Sequence, residues 1–183
     1  MIYHAARYAD KMTEAANSGD HDEFEKWDDK LGFYTPVLKG FLTERGIEAA
    51  NIGMQVYGGH GYIKEWGMEQ IARDARIATL YEGTTGVQAL DLLGRKVLVQ
   101  SKGKVVRDYT ANIMRWCGEY ALDKDMRRFV WVLTKLCAEW NTLTVRLMLM
   151  ARKDREIVSA ASDDYLMYSG YVMMGYHWAR MAA

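Results

Sequence analysis

One carboxylate in this sequence has surroundings that suit acid–base chemistry. Glu82 lies in an otherwise apolar context, residues 77–81, just before a predicted helix. Partial removal of water raises the pKa of such a carboxylate, which is the property of a general base near neutral pH. Glu82 is also compatible with a cap on the following helix, or with an ion pair to Arg73 or Arg76. The residues alone leave both interpretations open.

A second candidate is the glycine-rich turn at positions 58–61, which offers backbone N–H groups. It lacks the third glycine of a dinucleotide fingerprint, it follows a predicted helix instead of a strand, and the chain has no P-loop sequence. Glycine backbone can nevertheless approach a ligand closely. We expect His60 to fill this turn and face solvent rather than contact a cofactor. Arg73 and Asp74 are expected to form a structural ion pair.

Amphipathic helices are predicted to position these residues, because apolar side chains recur at helical spacing and strand-like alternation is absent. The predicted helices cover residues 2–16, 36–57, 67–75, 84–98, 105–121, 125–152 and 163–181. The fold class is therefore all-α, a helical bundle followed by further long helices. We expect a first unit at residues 1–100 and an added helical segment at residues 101–183.

Three local features refine this prediction. Thr35 and Pro36 predict a new helix, with threonine as N-cap and proline at the first helical position. The acidic segment 20–29 is interpreted as a solvated loop or an exposed helical turn. The methionine- and aromatic-rich segment 163–181 is expected to form core or a subunit interface rather than a ligand site. Half of the sixteen glycines lie between positions 53 and 94, which directs the search for function there.

Composition excludes several classes of function. The chain has 24 basic and 24 acidic residues, so nucleic acid is not expected as a main partner. No apolar run approaches the ~20 residues that span a bilayer. The histidines have no ligand spacing, so no metal site is predicted. Cys117 and Cys137 are expected to be reduced core residues, which indicates a soluble, cytoplasmic protein.

The ordered motifs between positions 55 and 96 resemble the C-terminal helical domain of acyl-CoA dehydrogenases. The matching pieces are Gln55-Val-Tyr-Gly58-Gly59-His-Gly61-Tyr62, Arg73-Asp74-Ala-Arg76-Ile77, Tyr81-Glu82-Gly83-Thr84, Gln88 and Arg95-Lys96. The resemblance covers residues 1–98. The later helices are similar to the extra C-terminal domain of a long subgroup of that family, which includes 3-methylmercaptopropionyl-CoA dehydrogenases.

The resemblance implies the α,β-dehydrogenation of an acyl-CoA thioester to a trans-2-enoyl-CoA, with FAD as cofactor. It makes Glu82 the base that removes the α-proton, and it places Tyr81 and Gly83 at the substrate. The FAD contacts that it implies are Gln55, Gly58, Gly59 and Thr84. Gly86 stands where many members have a glutamine that contacts the flavin. We interpret this glycine as a trait of the long subgroup.

The resemblance also implies partners. These are the acyl-CoA substrate, an electron-transfer flavoprotein or similar acceptor, and further copies of the chain in a homo-oligomer whose FAD site is shared between subunits. The family's N-terminal helical domain and central β-domain have no counterpart here. We therefore expect a fragment that neither retains FAD nor turns over acyl-CoA alone. The alternative hypothesis is a non-catalytic helical oligomerisation or interaction module derived from that family.

Overall fold

The computed structural model describes residues 1–183 as helices joined by short turns. The α-helices are α1 (Ile2–Ser18), α2 (His21–Pro36), α3 (Leu42–Val56), α4 (Gly59–Tyr62), α5 (Met68–Ile77), α6 (Thr85–Leu90), α7 (Lys104–Glu119), α8 (Arg127–Ala151) and α9 (Glu156–Ala182). A π turn (Val37–Phe41), a π-helical stretch (Asp91–Gln100) and a 3-10 turn (Lys64–Trp66) complete the secondary structure. The chain has no strand, which confirms the all-α prediction.

The helix start predicted at Thr35 and Pro36 is wrong. Helix α2 runs through Pro36 and continues through the π turn into α3 without a break. The Thr35 hydroxyl donates back to the carbonyl of Leu31, at 2.9 Å, instead of capping a new helix. A proline inside a helix removes one N–H donor and crowds the preceding turn. The π turn, with its wider hydrogen-bond spacing, begins at the next residue, Val37. The helix therefore continues where the sequence predicts that a new helix starts.

The starts of α2 and α9 can also be compared with the predictions. The acidic segment 20–29 forms the start of α2, so of the two predicted forms the exposed helical one is correct. The Asp20 carboxylate accepts a hydrogen bond from the Glu23 amide at 3.0 Å, which caps the helix. Helix α9 begins at Glu156, seven residues before the predicted start. The chain is therefore more continuously helical than its periodicity indicates.

One hydrophobic core joins the two predicted units. It contains 25 buried residues, among them Phe33, Val37, Phe41, Leu93, Ile113, Trp140, Tyr165, Leu166, Met173 and Tyr176. Several of these belong to the methionine- and aromatic-rich segment, which confirms its interpretation as core. No member of this core lies between Phe41 and Ala89. The division into residues 1–100 and 101–183 stays a prediction, since both parts contribute to the same core.

The tightest packing occurs where α9 crosses the π turn. A Cβ atom on Gly40 would lie 2.5 Å from Leu166 Cδ2. A Cβ atom on Gly170 would overlap the ring of Phe41, which is fully buried. Only glycine permits helices to approach this closely. The added segment therefore packs directly against the first unit at these two glycines.

A cluster of polar aromatic residues packs between α1, α2, α7 and α9. The Tyr34 hydroxyl donates to the Tyr109 hydroxyl at 3.1 Å, and the Nε2 atom of His177 lies 3.4 Å from the Tyr34 hydroxyl. Burial lowers the pKa of His177 to about 3, with smaller contributions from nearby positive charges including Arg180. His177 is therefore neutral near pH 7.

The two cysteines, Cys117 and Cys137, are buried and unpaired. Burial raises the pKa of the Cys137 thiol to about 12, which disfavours the reactive thiolate form. No group of histidine, cysteine, aspartate and glutamate side chains is arranged to hold a metal ion. None of the helices has the combination of length and apolar character needed to cross a membrane.

Candidate functional site

Glu82 lies in an exposed turn between α5 and α6, in a backbone conformation that is rare for its residue type. Its φ is 52°, and the next residue, Gly83, has a φ of 95°. A residue with a side chain adopts such left-handed angles only where the surrounding structure holds it there. The conformation of this turn therefore depends on contacts made on either side of it.

Two side chains from one helical run hold the turn. On one side, the Lys39 ammonium donates to the Ala78 carbonyl and lies 4.6 Å from the centroid of the Tyr81 ring. On the other, the Thr85 hydroxyl donates to the Glu44 carboxylate at 2.6 Å. Lys39 belongs to the π turn and Glu44 to the first turn of α3. The Glu82 turn is thus attached at both ends to the same part of the molecule.

Three successive backbone amides in this turn have no partner within the chain. The Tyr81 amide still donates to the Ile77 carbonyl, at 3.2 Å, whereas the amides of Glu82, Gly83 and Thr84 donate to no acceptor. The hydroxyl of Thr84, the N-cap residue of α6, is also without a hydrogen bond. Backbone donors seek partners strongly. This stretch can therefore hydrogen-bond to a carbonyl or phosphate oxygen of a ligand.

Gly83 is a position of this turn at which a side chain would be strained and would crowd its neighbour. A Cβ atom there would lie 2.7 Å from Nε2 of Gln88, in addition to the unfavourable positive φ. Gly86, by contrast, stands in open space, with only Asp163 Oδ1 at 4.0 Å from the position of an added Cβ atom. The Gln88 side chain therefore lies close to the backbone at Gly83, and no side chain does so at Gly86.

The Glu82 side chain is exposed and forms neither a hydrogen bond nor an ion pair in this chain. The partial desolvation expected from its apolar context is absent, because Leu80 and Tyr81 are themselves 49% and 52% exposed. The proposed cap and the pairing with Arg73 or Arg76 are not formed either. The carboxylate is free to meet a substrate, but these 183 residues do not exclude water from it.

The ion pair predicted between Arg73 and Asp74 is wrong. Arg73 pairs with Glu69 at 3.0 Å, and Asp74 accepts a hydrogen bond from the Gln70 amide group at 2.7 Å. Adjacent residues on a helix point in different directions, whereas residues four apart lie on the same face. The partners of both side chains are therefore found one helical turn away.

The glycine-rich turn forms a second exposed surface, at the end of α3. Gly58 has a φ of 58°, and neither Gly58 nor Gly59 has an atom within 4 Å of an added Cβ. Gly61 is different, because a Cβ there would overlap the Met54 carbonyl oxygen and so prevent α4 from packing on α3. His60 is exposed and stacks edge-on against Trp66 at 5.2 Å, as expected of a turn-filling residue.

The residues that the resemblance assigns to FAD are accessible. Gln55, Gly59 and Thr84 are exposed, and the Gly59 amide donates to no acceptor in the chain. Open glycine backbone, free amides and a free hydroxyl suit a ligand with phosphate and ring oxygen atoms. No hydrogen bond links residues 55–61 to residues 81–84. Both turns offer donors of the kind that fit the oxygen atoms of FAD.

Two residues that matter for the geometry, Lys39 and Glu44, have no part in the sequence-based prediction. A signal was present for one of them. Lys39 is the single charged residue in the run Pro36–Leu42, and a lone charge within an apolar run implies a specific partner. The identity of that partner, 39 residues further along the chain, comes only from the fold.

Comparison with protein families divides the chain into two matched parts. Residues 1–98 match the family "Acyl-CoA dehydrogenase, C-terminal domain". Residues 106–183 match the family "Acetyl-CoA dehydrogenase C-terminal like". The unmatched residues between them contain the end of the π-helical stretch and the start of α7.

Acyl-CoA dehydrogenases are among the curated proteins with similar sequences. A 3-methylmercaptopropionyl-CoA dehydrogenase of Ruegeria pomeroyi is 39% identical over 79% of this chain and 24% of its own length. FadE5 of Mycobacterium tuberculosis, a broad-specificity linear acyl-CoA dehydrogenase, is 30% identical over 81% of this chain and 25% of its own. A butyryl-CoA dehydrogenase of Syntrophomonas wolfei is 30% identical over 70% and 20%. The chain spans a quarter or less of these relatives.

Among solved structures, one described as "Bd2924 apo-form" has a TM-score of 0.58 with this chain, at 19% sequence identity. The likeness covers 91% of this chain and 29% of that one. At this identity it shows a shared helical fold.

Proposed function

Because this chain belongs to the acyl-CoA dehydrogenase family, we propose that it supplies the catalytic base and part of the flavin site of an enzyme that converts an acyl-CoA thioester to a trans-2-enoyl-CoA. The observation that carries the proposal is the Glu82 turn, where a carboxylate without a partner adjoins three amides without acceptors. The alternative, a non-catalytic helical module, gives these groups no role.

In the proposed reaction, the Glu82 carboxylate removes the α-proton of the acyl-CoA. That proton is too weakly acidic for a carboxylate unless the charge that develops on the thioester oxygen is stabilised. The free Glu82 amide is a suitable donor to that oxygen. Gly83 lets the substrate approach the backbone, and the exposed ring of Tyr81 lines the acyl group.

When bound, FAD accepts the β-hydrogen as hydride. The residues of this chain that hold it in the proposal are Gln55, Gly58, Gly59 and Thr84. In the proposal the FAD site is shared between subunits of a homo-oligomer, and the glycine-rich turn and the Glu82 turn each meet a different FAD. Electrons then pass to an electron-transfer flavoprotein or a similar acceptor. The unpaired thiols support a reducing, cytoplasmic location.

The 183 residues alone are proposed to be inactive. The general base of such a reaction works best away from bulk water, whereas Glu82 is exposed here. The groups that cover Glu82 must therefore come from other parts of the enzyme or from other subunits. A yellow, active preparation of the isolated chain would contradict this part of the proposal.

The test is the variant Glu82→Gln in a complete enzyme. One such enzyme is the Ruegeria pomeroyi relative with its matching quarter replaced by this chain. We expect the variant to bind FAD normally and to lose the bleaching of the flavin that acyl-CoA causes, because glutamine cannot accept the α-proton. Flavin absorbance before and after substrate addition measures both effects.

The matched control is Glu65→Gln, which changes another exposed glutamate of the same region that has no hydrogen-bond partner. We expect this variant to bleach at the rate of the unmodified enzyme. Bleaching at the normal rate in Glu82→Gln would show that Glu82 is not the base.

A further inference from the structure

We propose that Lys39 is a positioning residue for the Glu82 turn, and that its ammonium group holds the backbone in the conformation from which Glu82 acts. The significance of that turn rests on the proposed function. The contacts of Lys39 are a property of this chain and can be tested without any enzyme activity.

Lys39 holds the segment before Glu82 through two different interactions. Its ammonium donates to the Ala78 carbonyl, and a hydrogen bond from a charged donor is stronger than a neutral one. The same ammonium lies 4.6 Å from the centroid of the Tyr81 ring, within the range of a cation–π interaction. The Lys39 ammonium therefore holds both the carbonyl of Ala78, which follows α5, and the ring of Tyr81, which immediately precedes Glu82.

The rest of the segment cannot replace these interactions. The amides of Thr79, Leu80 and Tyr81 donate only to the carbonyls of Arg76 and Ile77, so they hold the segment to itself. On the far side of Glu82, the link from Thr85 to Glu44 fixes the start of α6. Without Lys39, no side-chain contact would tie residues 78–81 to the π turn, and the unfavourable φ of Glu82 could relax.

Lys39 itself stands on a rigid support. The next two residues, Gly40 and Phe41, are buried against Leu166 and Gly170 of α9, with no space for a Cβ atom on either glycine. Such packing prevents the π turn from shifting. The added segment therefore contributes to the site indirectly, by holding the part of the helix from which Lys39 reaches Ala78.

Hydrogen–deuterium exchange of the 183-residue chain tests the proposal directly. We expect Lys39→Met to speed exchange at the amides of Leu80 and Tyr81 by roughly tenfold or more, since a hydrogen bond from a charged group is lost. Lys39→Arg keeps a charged donor and should retain part of the protection. The control Lys11→Met removes an exposed helical lysine that pairs with Glu14, and should leave these amides unchanged.

A measurement on the unmodified chain covers the case in which Lys39→Met unfolds the protein. The ring of Tyr81 should shift the NMR signals of the Lys39 ε-methylene protons upfield of those of exposed lysines, because the side chain lies over its face. Tyr81→Leu should abolish this shift. A Lys39 signal at the ordinary lysine position in the unmodified chain would overturn the proposal.

In the complete enzyme, Lys39→Met should lower kcat with little change in KM or flavin content, and Lys39→Arg should recover part of the rate.

The role of Lys39 and the role of Glu82 as the base are contradicted by different results. Unchanged exchange at Leu80 and Tyr81 in Lys39→Met would overturn the role of Lys39 and leave Glu82 as the base. Normal bleaching in Glu82→Gln would remove the proposed function and leave the Lys39 contacts as they are.

Discussion

The core of the molecule and its glycine-rich segment (residues 51–88) both contain many apolar residues, but they bury very different shares of them. The core draws on every long helix except α3. In the glycine-rich segment, only Gly61 and Thr79 are buried. Many of its large apolar side chains are half exposed or more, as for Tyr57 (50%), Trp66 (55%), Ile71 (55%), Ile77 (54%) and Tyr81 (52%).

The difference indicates how each region keeps its shape. The core is held by close packing, in which each side chain constrains its neighbours. The glycine-rich segment is held by backbone geometry and by a few side-chain links, chiefly those of Lys39 and Glu44. Exposed apolar surface of this kind is typical of regions that meet a partner or a ligand. Changes in the core should therefore affect the whole fold, and changes in the segment should act locally.

The largest effect is expected in the core, at Gly170. We expect Gly170→Ala to lower the free energy of unfolding by about 3 kcal/mol, because the new Cβ overlaps the buried Phe41 ring. The matched control on the same helix, Gly175→Ala, has open space and should raise stability by up to about 1 kcal/mol. Denaturant unfolding measures both. Equal stability of the two variants would contradict the tight crossing of α9 over the π turn.

A smaller and local effect is expected in the glycine-rich segment. Gly61→Ala should cost about 1–2 kcal/mol, because its Cβ meets the Met54 backbone, which cannot move aside cheaply. Faster amide exchange should be confined to α4 and its neighbouring turns. Gly59→Ala has open space and serves as the control. A loss of protection throughout the core in Gly61→Ala would erase the distinction between the two regions.

The smallest effect is a pH dependence that comes from the core. His177 stays neutral in the folded chain down to about pH 3, whereas in the unfolded chain it gains a proton below about pH 6.5. The unfolded state therefore binds more protons between these values, and stability falls as the pH is lowered through this window. Allowing for the partial exposure of His177, we expect a loss of about 1 kcal/mol at pH 5.

His177→Gln should flatten this pH dependence, and His21→Gln, which changes an exposed histidine, should not. Urea unfolding at pH 7 and pH 5 gives the comparison. A pH dependence that is the same in all three proteins would show that His177 is not the group responsible.

The sequence predicts the helices well because apolar side chains recur at helical spacing along most of the chain. It also leads to Glu82 and the glycine-rich turn, since the order of the motifs is itself a strong pattern. It fails at Pro36, where proline favours a helix start unless a π turn follows, and the π turn depends on the packing of Gly40 against α9. Spacing along the chain does not show such packing.

The side-chain contacts next to Glu82 cannot be predicted from the sequence either. The partner of Lys39 is the carbonyl of Ala78, and any residue presents a carbonyl, so nothing in the residue types indicates the pair. The exposure of Glu82 was also missed, because an apolar neighbour excludes water only when it is itself covered. Both depend on how distant segments meet.

The π turn between Val37 and Phe41 determines where this part of the chain tolerates a change in length. Each residue of an α-helix advances the chain by ~100° about the axis, and a π turn accommodates one residue more than an α turn. Deleting a single residue within the π turn would therefore restore α-helical spacing and leave α3 facing the same way, whereas a deletion at Thr43, inside α3, would rotate the rest of that helix by ~100°. Glu44 would then point away from Thr85, and Gln55 would leave its present surface. Insertions and deletions are better tolerated in the exposed turn at residues 152–155.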